Sequence, residues 1–516
     1  MATLTIGRRQ ALQGLGGLTL AAAAWQPGRA ASKTLRARSY ADLQVLDPLD
    51  WVSQPDADIA ACCLNKLIRH KPGTSWDWEP DAAEEVKQVD DTHIHFRLKP
   101  GQRWSGGFGE ITADDVKFSF ERIADPANKS PYAEDWSALD HVDVHGPHEG
   151  TIVLKQYFAP LWTSTLPEAS GQIVCRKAVE ALPGKRFTTS FPAVSGPYCL
   201  AQWVPKQKTV LARNPDWSGP APAFDAIEIL PIEDVKSAEI AFDAGDIDYT
   251  WISLDGLAKY KKTPPAHAAL VERPSLAFTW MGINTQHPNF TDQRVRRAVQ
   301  QAVDMGAVLD AAYFGQAQRA TGIIAPSLLG HREKNLYAYD PAASKRLLAE
   351  AGKSGLATTI SCLNTTERTS AAQVIQANLA DAGIQAQIKP YDSGTFWTLG
   401  DQKKGNGWKE LQIFISRFTM EPDPSWATAW FTPQQIGVWN WERWNSPEYG
   451  KLNAAALLER DDAKRGAMYR HMQDLMEESA AYTFITNGAT PSIVRAGIRP
   501  ALLPDGRPLL WEFALG

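Results

Sequence analysis

The chain has 516 residues, a formal charge of −5 at neutral pH, 44% hydrophobic and 22% charged residues. At about 100–200 residues per domain, that length is too great for one hydrophobic core and predicts two to four lobes. The acidic balance offers no basic footprint for nucleic acid, and the composition is that of an ordinary globular protein.

The chain opens on an address rather than on structure. Arg8-Arg9 precede a Gly/Ala/Leu stretch, Ala11 to Ala24, shorter than the ~18 residues of a membrane span, and Gly28-Arg29-Ala30 offers a small-x-small cleavage site. Residues 1–31 therefore read as a twin-arginine export signal, with a general secretory signal as the alternative. Cleavage near Ala30 or Ala31 would leave a soluble periplasmic protein. Cys62 and Cys63 lie too far from that site to carry a lipid anchor. An oxidising compartment permits a Cys175–Cys199 bridge, and the cysteines at 62, 63, 175, 199 and 362 show no C-x-x-C or Cys/His ligand spacing.

From His93 to Leu98 apolar and polar residues alternate, as in a half-buried strand. Thr112 and Asp115 then form a capping box for a largely buried helix carrying Val116, Phe118, Phe120 and Ile123. Further strands are predicted at Thr151–Lys155, Val210–Arg213, Ala226–Pro231, Thr279–Asn284, Gln385–Pro390 and Leu411–Ser416. Helices are predicted at Asp292–Tyr313, Pro341–Ala351, Ser370–Ala382 and Ser446–Ala481, several closed by Gly315, Gly352 and Gly383. Strands and helices alternate to the end, which gives α/β lobes.

Six sets of motifs, in order, carry a resemblance. They are His93 to Ile123, Ser195-Gly196-Pro197-Tyr198, Arg213-Asn214-Pro215-Asp216-Trp217, Ala241 to Asp248, Met281-Gly282-Ile283-Asn284 with Asp292 to Ala298, and Tyr339 to Gly352. Together they resemble the extracellular solute-binding proteins, family 5. The resemblance implies an α/β, periplasmic binding protein-like fold of class II, cluster C type: two hinged lobes with a small inserted domain. It places one lobe at 32–68, 193–278 and 486–516, the insertion at 69–192, and the second lobe at 279–485, with crossings near Trp280 and Phe484.

The resemblance also implies a ligand cleft between the lobes. Stretches that match its lining are Trp51, Val52, Ser53 and Gln54; Tyr132; Phe396 and Trp397; and the segment holding Arg417, Phe418, Met420, Glu421 and Asp423. Peptide-binding members carry in that last segment an aspartate that pairs with the ligand's α-ammonium. Met420 aligns there instead, and a buried ammonium without a counter-charge costs several kcal/mol, which argues against free-amino peptides unless Glu421 or Asp423 serves. Arg417 suits an anionic group, because its planar fork pairs bidentately with carboxylate or phosphate. Trp439, Trp441 and Trp444 offer stacking surfaces for a sugar or aliphatic body, or serve as core.

His93, His95, His141, His145 and His148 fall in the inserted segment, away from the cleft, and read as solvent-facing strand residues rather than as a metal site. The expected protein is thus a monomeric, non-enzymatic substrate-binding component of an ABC importer. It needs no cofactor, and it hands a peptide, a peptide-like or an anionic small solute to the permease. A non-peptide solute such as an opine, an oligosaccharide or a nickel chelate is the alternative. A chaperone or sensor on the same fold is a further one. An exported cofactor enzyme is disfavoured, since the chain has no G-x-S-x-G, H-E-x-x-H or C-x-x-C-H, and no G-x-G-x-x-G after a strand.

Overall fold

A run of apolar and β-branched residues, Ala277–Ile283, is buried along its whole length and forms the spine of one of two large sheets. The computed structural model describes residues 33–51 and 53–516, so the expected export signal and Val52 lie outside the described residues. That spine strand pairs antiparallel with Ile413–Thr419 on one side and with Tyr482–Thr486 on the other. Ala357–Leu363 and Gln385–Tyr391 extend the sheet in parallel, giving five strands.

The second sheet has seven strands, in the order Tyr198–Val204, Lys208–Arg213, Ala226–Pro231, Thr34–Ser39, Tyr249–Trp251, Ala489–Arg495, Ala268–Pro274. Thr34–Ser39 runs parallel to both of its neighbours, and the other pairings are antiparallel. Strands such as Thr34–Ser39, Lys208–Arg213 and Ala226–Pro231 alternate buried and part-exposed residues, as strands with one core-facing side do. The chain passes from the seven-stranded to the five-stranded sheet at Ser275 and Leu276 and returns at Asn487 and Gly488. Trp280 and Phe484, expected at the crossings, instead pair with each other inside the five-stranded sheet.

A third, antiparallel sheet takes Ala83–Gln88, His93–Leu98, Glu149–Leu154 and Leu139–Gly146 in that spatial order. Its helix, Ala113–Ala124, begins at the Thr112/Asp115 capping box, and Asp115 also accepts from the Trp104 indole at 3.1 Å. Two of the expected long helices are each two helices. Gln293–Ala302 and Met305–Tyr313 are separated where Asp304 caps the second by accepting from the Gly306 and Ala307 amides. Pro447–Leu458 and Asp462–Glu478 are separated in the same way by Asp461. Asp and Asn side chains that bond the backbone ahead of them compete with helix continuation, which is why a helix read across these points misleads. Gly315, Gly352 and Gly383 do end helices, each at a positive φ.

All five cysteines are free thiols, so the Cys175–Cys199 bridge is not formed. Cys175 is buried at the start of helix Arg176–Glu180, whereas Cys199 sits on a strand of the seven-stranded sheet with its thiol 3.5 Å from the Ala212 carbonyl oxygen. The hairpin histidines pair with neighbouring acids: His93 with Asp90, His95 with Glu149, His141 with Asp140, His148 with Glu110. Among the described residues no group of three His, Cys, Asp or Glu side chains is placed to hold a metal ion.

Candidate functional site

The site begins at a buried ion pair. Arg122, on the helix Ala113–Ala124, forks onto both oxygens of Asp47 at 2.9 and 2.5 Å, and Asp47 also accepts from the Leu49 and Phe187 amides. A fixed loop follows. Trp51 stacks on Tyr132 with ring centroids 4.6 Å apart and planes 4° from parallel, and the Tyr132 hydroxyl donates to the Trp51 carbonyl at 2.9 Å. Beyond it Ser53 opens the helix Gln54–Cys63 through a capping box with Asp56, so its hydroxyl serves the helix rather than a ligand.

Trp51, Gln54 and Tyr132 form one wall of a small cavity. Asp135, Ser164 and Glu168 complete that side, and Glu421 and Trp426, from the segment after strand Ile413–Thr419, face them across the gap. The cavity therefore lies between the two lobes. Contacts that bridge the lobes lie nearby: the Thr163 hydroxyl donates to Asp423 at 2.8 Å, and the Trp76 indole donates to Ser327 at 3.2 Å.

Three carboxyls face this space in different states. Burial pushes Glu421 up to about 8 and Asp135 up to about 7, each against the ordinary carboxyl range near 4. Burial acts on Glu168 in the same direction, yet the Arg507 guanidinium, bidentate at 2.8 and 2.9 Å, holds it below its ordinary value. Glu421 makes no hydrogen bond or ion pair with the described residues, so its carboxyl is a half-buried acid awaiting a counter-charge.

A second cavity, of about 580 Å³, is lined by Trp397, Arg417, Phe418, Thr419, Trp430 and Trp439. Strand Ile413–Thr419 runs three residues past its expected end and carries Arg417 and Thr419 to this opening. Arg417 makes no hydrogen bond or ion pair among the described residues. Arg417 is exposed at this opening, and its guanidinium is a cation at neutral pH. The Trp426 and Trp430 rings are 6.5 Å apart and link the two cavities.

Other expected ligand residues are structural. Met420, Phe396 and Trp441 are 3%, 0% and 3% exposed and pack in the core of the five-stranded lobe. Asp423 is fully buried: it caps helix Pro424–Ala429 and receives Arg465 on both oxygens at 2.8 Å. Trp426 and Trp430 belong to the sequence cluster of tryptophans at 426, 430, 439, 441 and 444, which suits a ligand wall as well as a core. Asp135 and Glu168 were not expected, since they come from short 3₁₀ turns that give no sequence signal.

The model for the bacterial extracellular solute-binding proteins, family 5 (middle region), matches residues 77–437. The chain belongs to that family. Among family 5 relatives, the chain is 26% identical over 514 residues to the probable di/tripeptide-binding protein 5 of Pseudomonas aeruginosa, covering 91% of this chain and 93% of that one. Two solved family 5-type structures share the fold. HbpA2 from Haemophilus parasuis superposes with a TM-score of 0.81 at 21% identity over 94% of this chain and all of that one. DppA from Helicobacter pylori, in complex with the peptide STSA, gives 0.74 at 22% identity over 94% and 98%. Among the described residues no helix is long and apolar enough to cross a membrane.

Proposed function

We propose that this protein is the periplasmic receptor of an ATP-driven importer, and that it closes on a short peptide or peptide-like solute and delivers it unaltered to the permease. The observation that carries the reading is Glu421: an acid in an interlobe cavity, opposite the Trp51–Tyr132 stack, with no partner side chain. A ligand α-ammonium supplies the missing charge, in the place the resemblance gives to an aspartate one residue earlier.

Arg417 receives an anionic group, such as the ligand's carboxylate, within an aromatic enclosure. It lies four positions before Glu421, so their Cα atoms are at most about 14 Å apart, and an extended tripeptide spans about 10 Å. The name of the Pseudomonas relative, a di/tripeptide binder, supports ligands of this size. Binding and release need no reacting group.

In this reading residues 32–68, 193–276 and 487–516 form one lobe, 69–192 its insertion and 277–486 the other, which moves the expected boundaries at 278 and 486 to the ends of the strands. The lobes hinge at 275–276 and 487–488, where a differential affinity of a few kcal/mol shifts the closed population. Residues 1–31 direct export by the twin-arginine route and are removed, and the receptor acts as a monomer.

Trp51 and Trp426 line the cavity, so intrinsic fluorescence reports its filling. Trialanine is expected to bind, and N-acetyl-trialanine to bind at least tenfold more weakly. Glu421→Gln should weaken trialanine by a similar factor. Equal affinity for both peptides removes Glu421 from the role.

A further inference from the structure

Behind the helix Gln54–Cys63 lies another cavity, walled on its far side by the C-terminal segment that holds Leu503, Arg507 and Trp511. It shares Gln54, Ala57, Glu168 and Ala169 with the interlobe cavity, so the two adjoin. Nothing in the reading above uses it.

Its resident cations are already matched. Arg507 is held by Glu168 and by Asp505 at 2.8 and 2.7 Å, and Arg69 by Glu79 and Glu512 at 2.7 and 3.1 Å. Lys66 donates its ammonium to the Pro167 carbonyl. Its acceptors are not matched. Asn65 and His70 line the chamber at 4% and 3% exposure, and Asn65 Oδ1 and His70 Nδ1 have no hydrogen-bond partner. His70 Nε2 lies 3.0 Å from the Thr163 carbonyl, which can only accept, so the proton sits on Nε2 and Nδ1 is left as an acceptor. Asp58 accepts a single hydrogen bond, from Gln54 Nε2 at 2.8 Å, and forms no ion pair among the described residues. Gln172 Nε2 is the one unpartnered donor among the buried side chains of this lining.

A buried site whose spare groups are mostly acceptors favours a ligand group rich in N–H donors, because a buried acceptor left without a donor is costly. We infer that this chamber is a second subsite of the binding site, and that it takes a cationic side chain, an ammonium or a guanidinium, through Asp58, Asn65 and His70. The inference rests on the interlobe reading: a ligand anchored by its amino group at Glu421 directs its first side chain past Gln54 and Ala57 into the chamber. Burial pushes Asp58 up to about 7, and an arriving cation draws that proton off.

The test measures Kd, by calorimetry at pH 7.5 on the full mature chain, for Lys-Ala-Ala against norleucine-Ala-Ala and for Arg-Ala-Ala against citrulline-Ala-Ala. The basic peptide is expected to bind at least tenfold more tightly in each pair, and Asp58→Asn is expected to bring both ratios close to one. A chamber that holds water only gives equal affinities within each pair, which overturns the inference while leaving the Glu421 reading intact. A preference that Asp58→Asn does not alter also overturns it. Failure of all four peptides to bind overturns the interlobe reading and this inference with it.

Discussion

If Glu421 receives the ligand's ammonium, binding must be coupled to its ionisation, and the size of the coupling follows from its burial. A carboxyl that ionises at about 8 is roughly 90% protonated at pH 7, and charging it costs about 1.4 kcal/mol for each pH unit below that value. The empty site thus keeps Glu421 neutral, and an incoming ammonium restores the charged form that burial disfavours. Between pH 5.5 and 7.0 the ionised fraction rises about thirtyfold, while the ligand's α-ammonium, with an ordinary value near 8, stays mostly charged. Affinity for trialanine should therefore rise with pH over this interval, by up to about thirtyfold. Asp135, at about 7 on the opposite wall, acts in the same direction, whereas Glu168 stays ionised against Arg507 throughout. Calorimetry in phosphate and in Tris should show close to one proton released per peptide at pH 7, and Glu421→Gln should lose most of the slope. An affinity that is flat or falls from pH 5.5 to 7.0, or a slope that survives Glu421→Gln, refutes the reasoning.

Arg417→Ala should weaken a tripeptide by about tenfold or more relative to its C-terminal amide while moving the melting temperature of the empty protein by no more than a degree or two; a large fall in melting temperature would make Arg417 structural. Asp423→Asn should do the reverse, costing about 3–5 kcal/mol in denaturant unfolding because Arg465, 3% exposed, is left as an uncompensated buried charge; a loss below 1 kcal/mol would contradict the pairing. Glu442 is fully buried, accepts from the Trp280 indole at 2.6 Å, and is pushed up to about 8 by burial. Its folded value exceeds its unfolded one, so it costs stability as pH rises from about 4.5 towards 8, roughly 3 kcal/mol at pH 7. Glu442→Gln keeps the indole hydrogen bond and should stabilise at pH 7 but not at pH 4; equal effects at both pH values would exclude this cause.

The scaffold was legible because its signals are local and repeated. The capping box at Thr112 and Asp115, the glycines at 315, 352 and 383, and the alternating segments at 226–231 and 385–390 each act within a few residues of chain, and the structure places an element or an end at each. Asp304 and Asp461 were misread for a related reason. The apolar stripe continues across Asp304, and at Asp461 a charged run, Glu459 to Asp462, interrupts it; in both places the side chain's bond to the next amides makes the break.

The site was legible where the family resemblance placed it. Trp51 with Gln54, and Tyr132, come from segments 81 positions apart, and a ring stack and a hydrogen bond bring them together. Asp423 and Glu421 are two residues apart in one segment and equally acidic, and nothing in the sequence separates them. Arg465, forty-two residues further on, consumes one of them and leaves the other facing Asp135 and Glu168 from a different lobe. Whether an acid binds a ligand or holds a loop is thus decided by which distant arginine reaches it. The same logic assigns Glu168 to Arg507, 339 positions away. In this cleft the roles of the carboxyls are properties of the lobe pairing, and the free charge left after each arginine has been matched is what the ligand must answer.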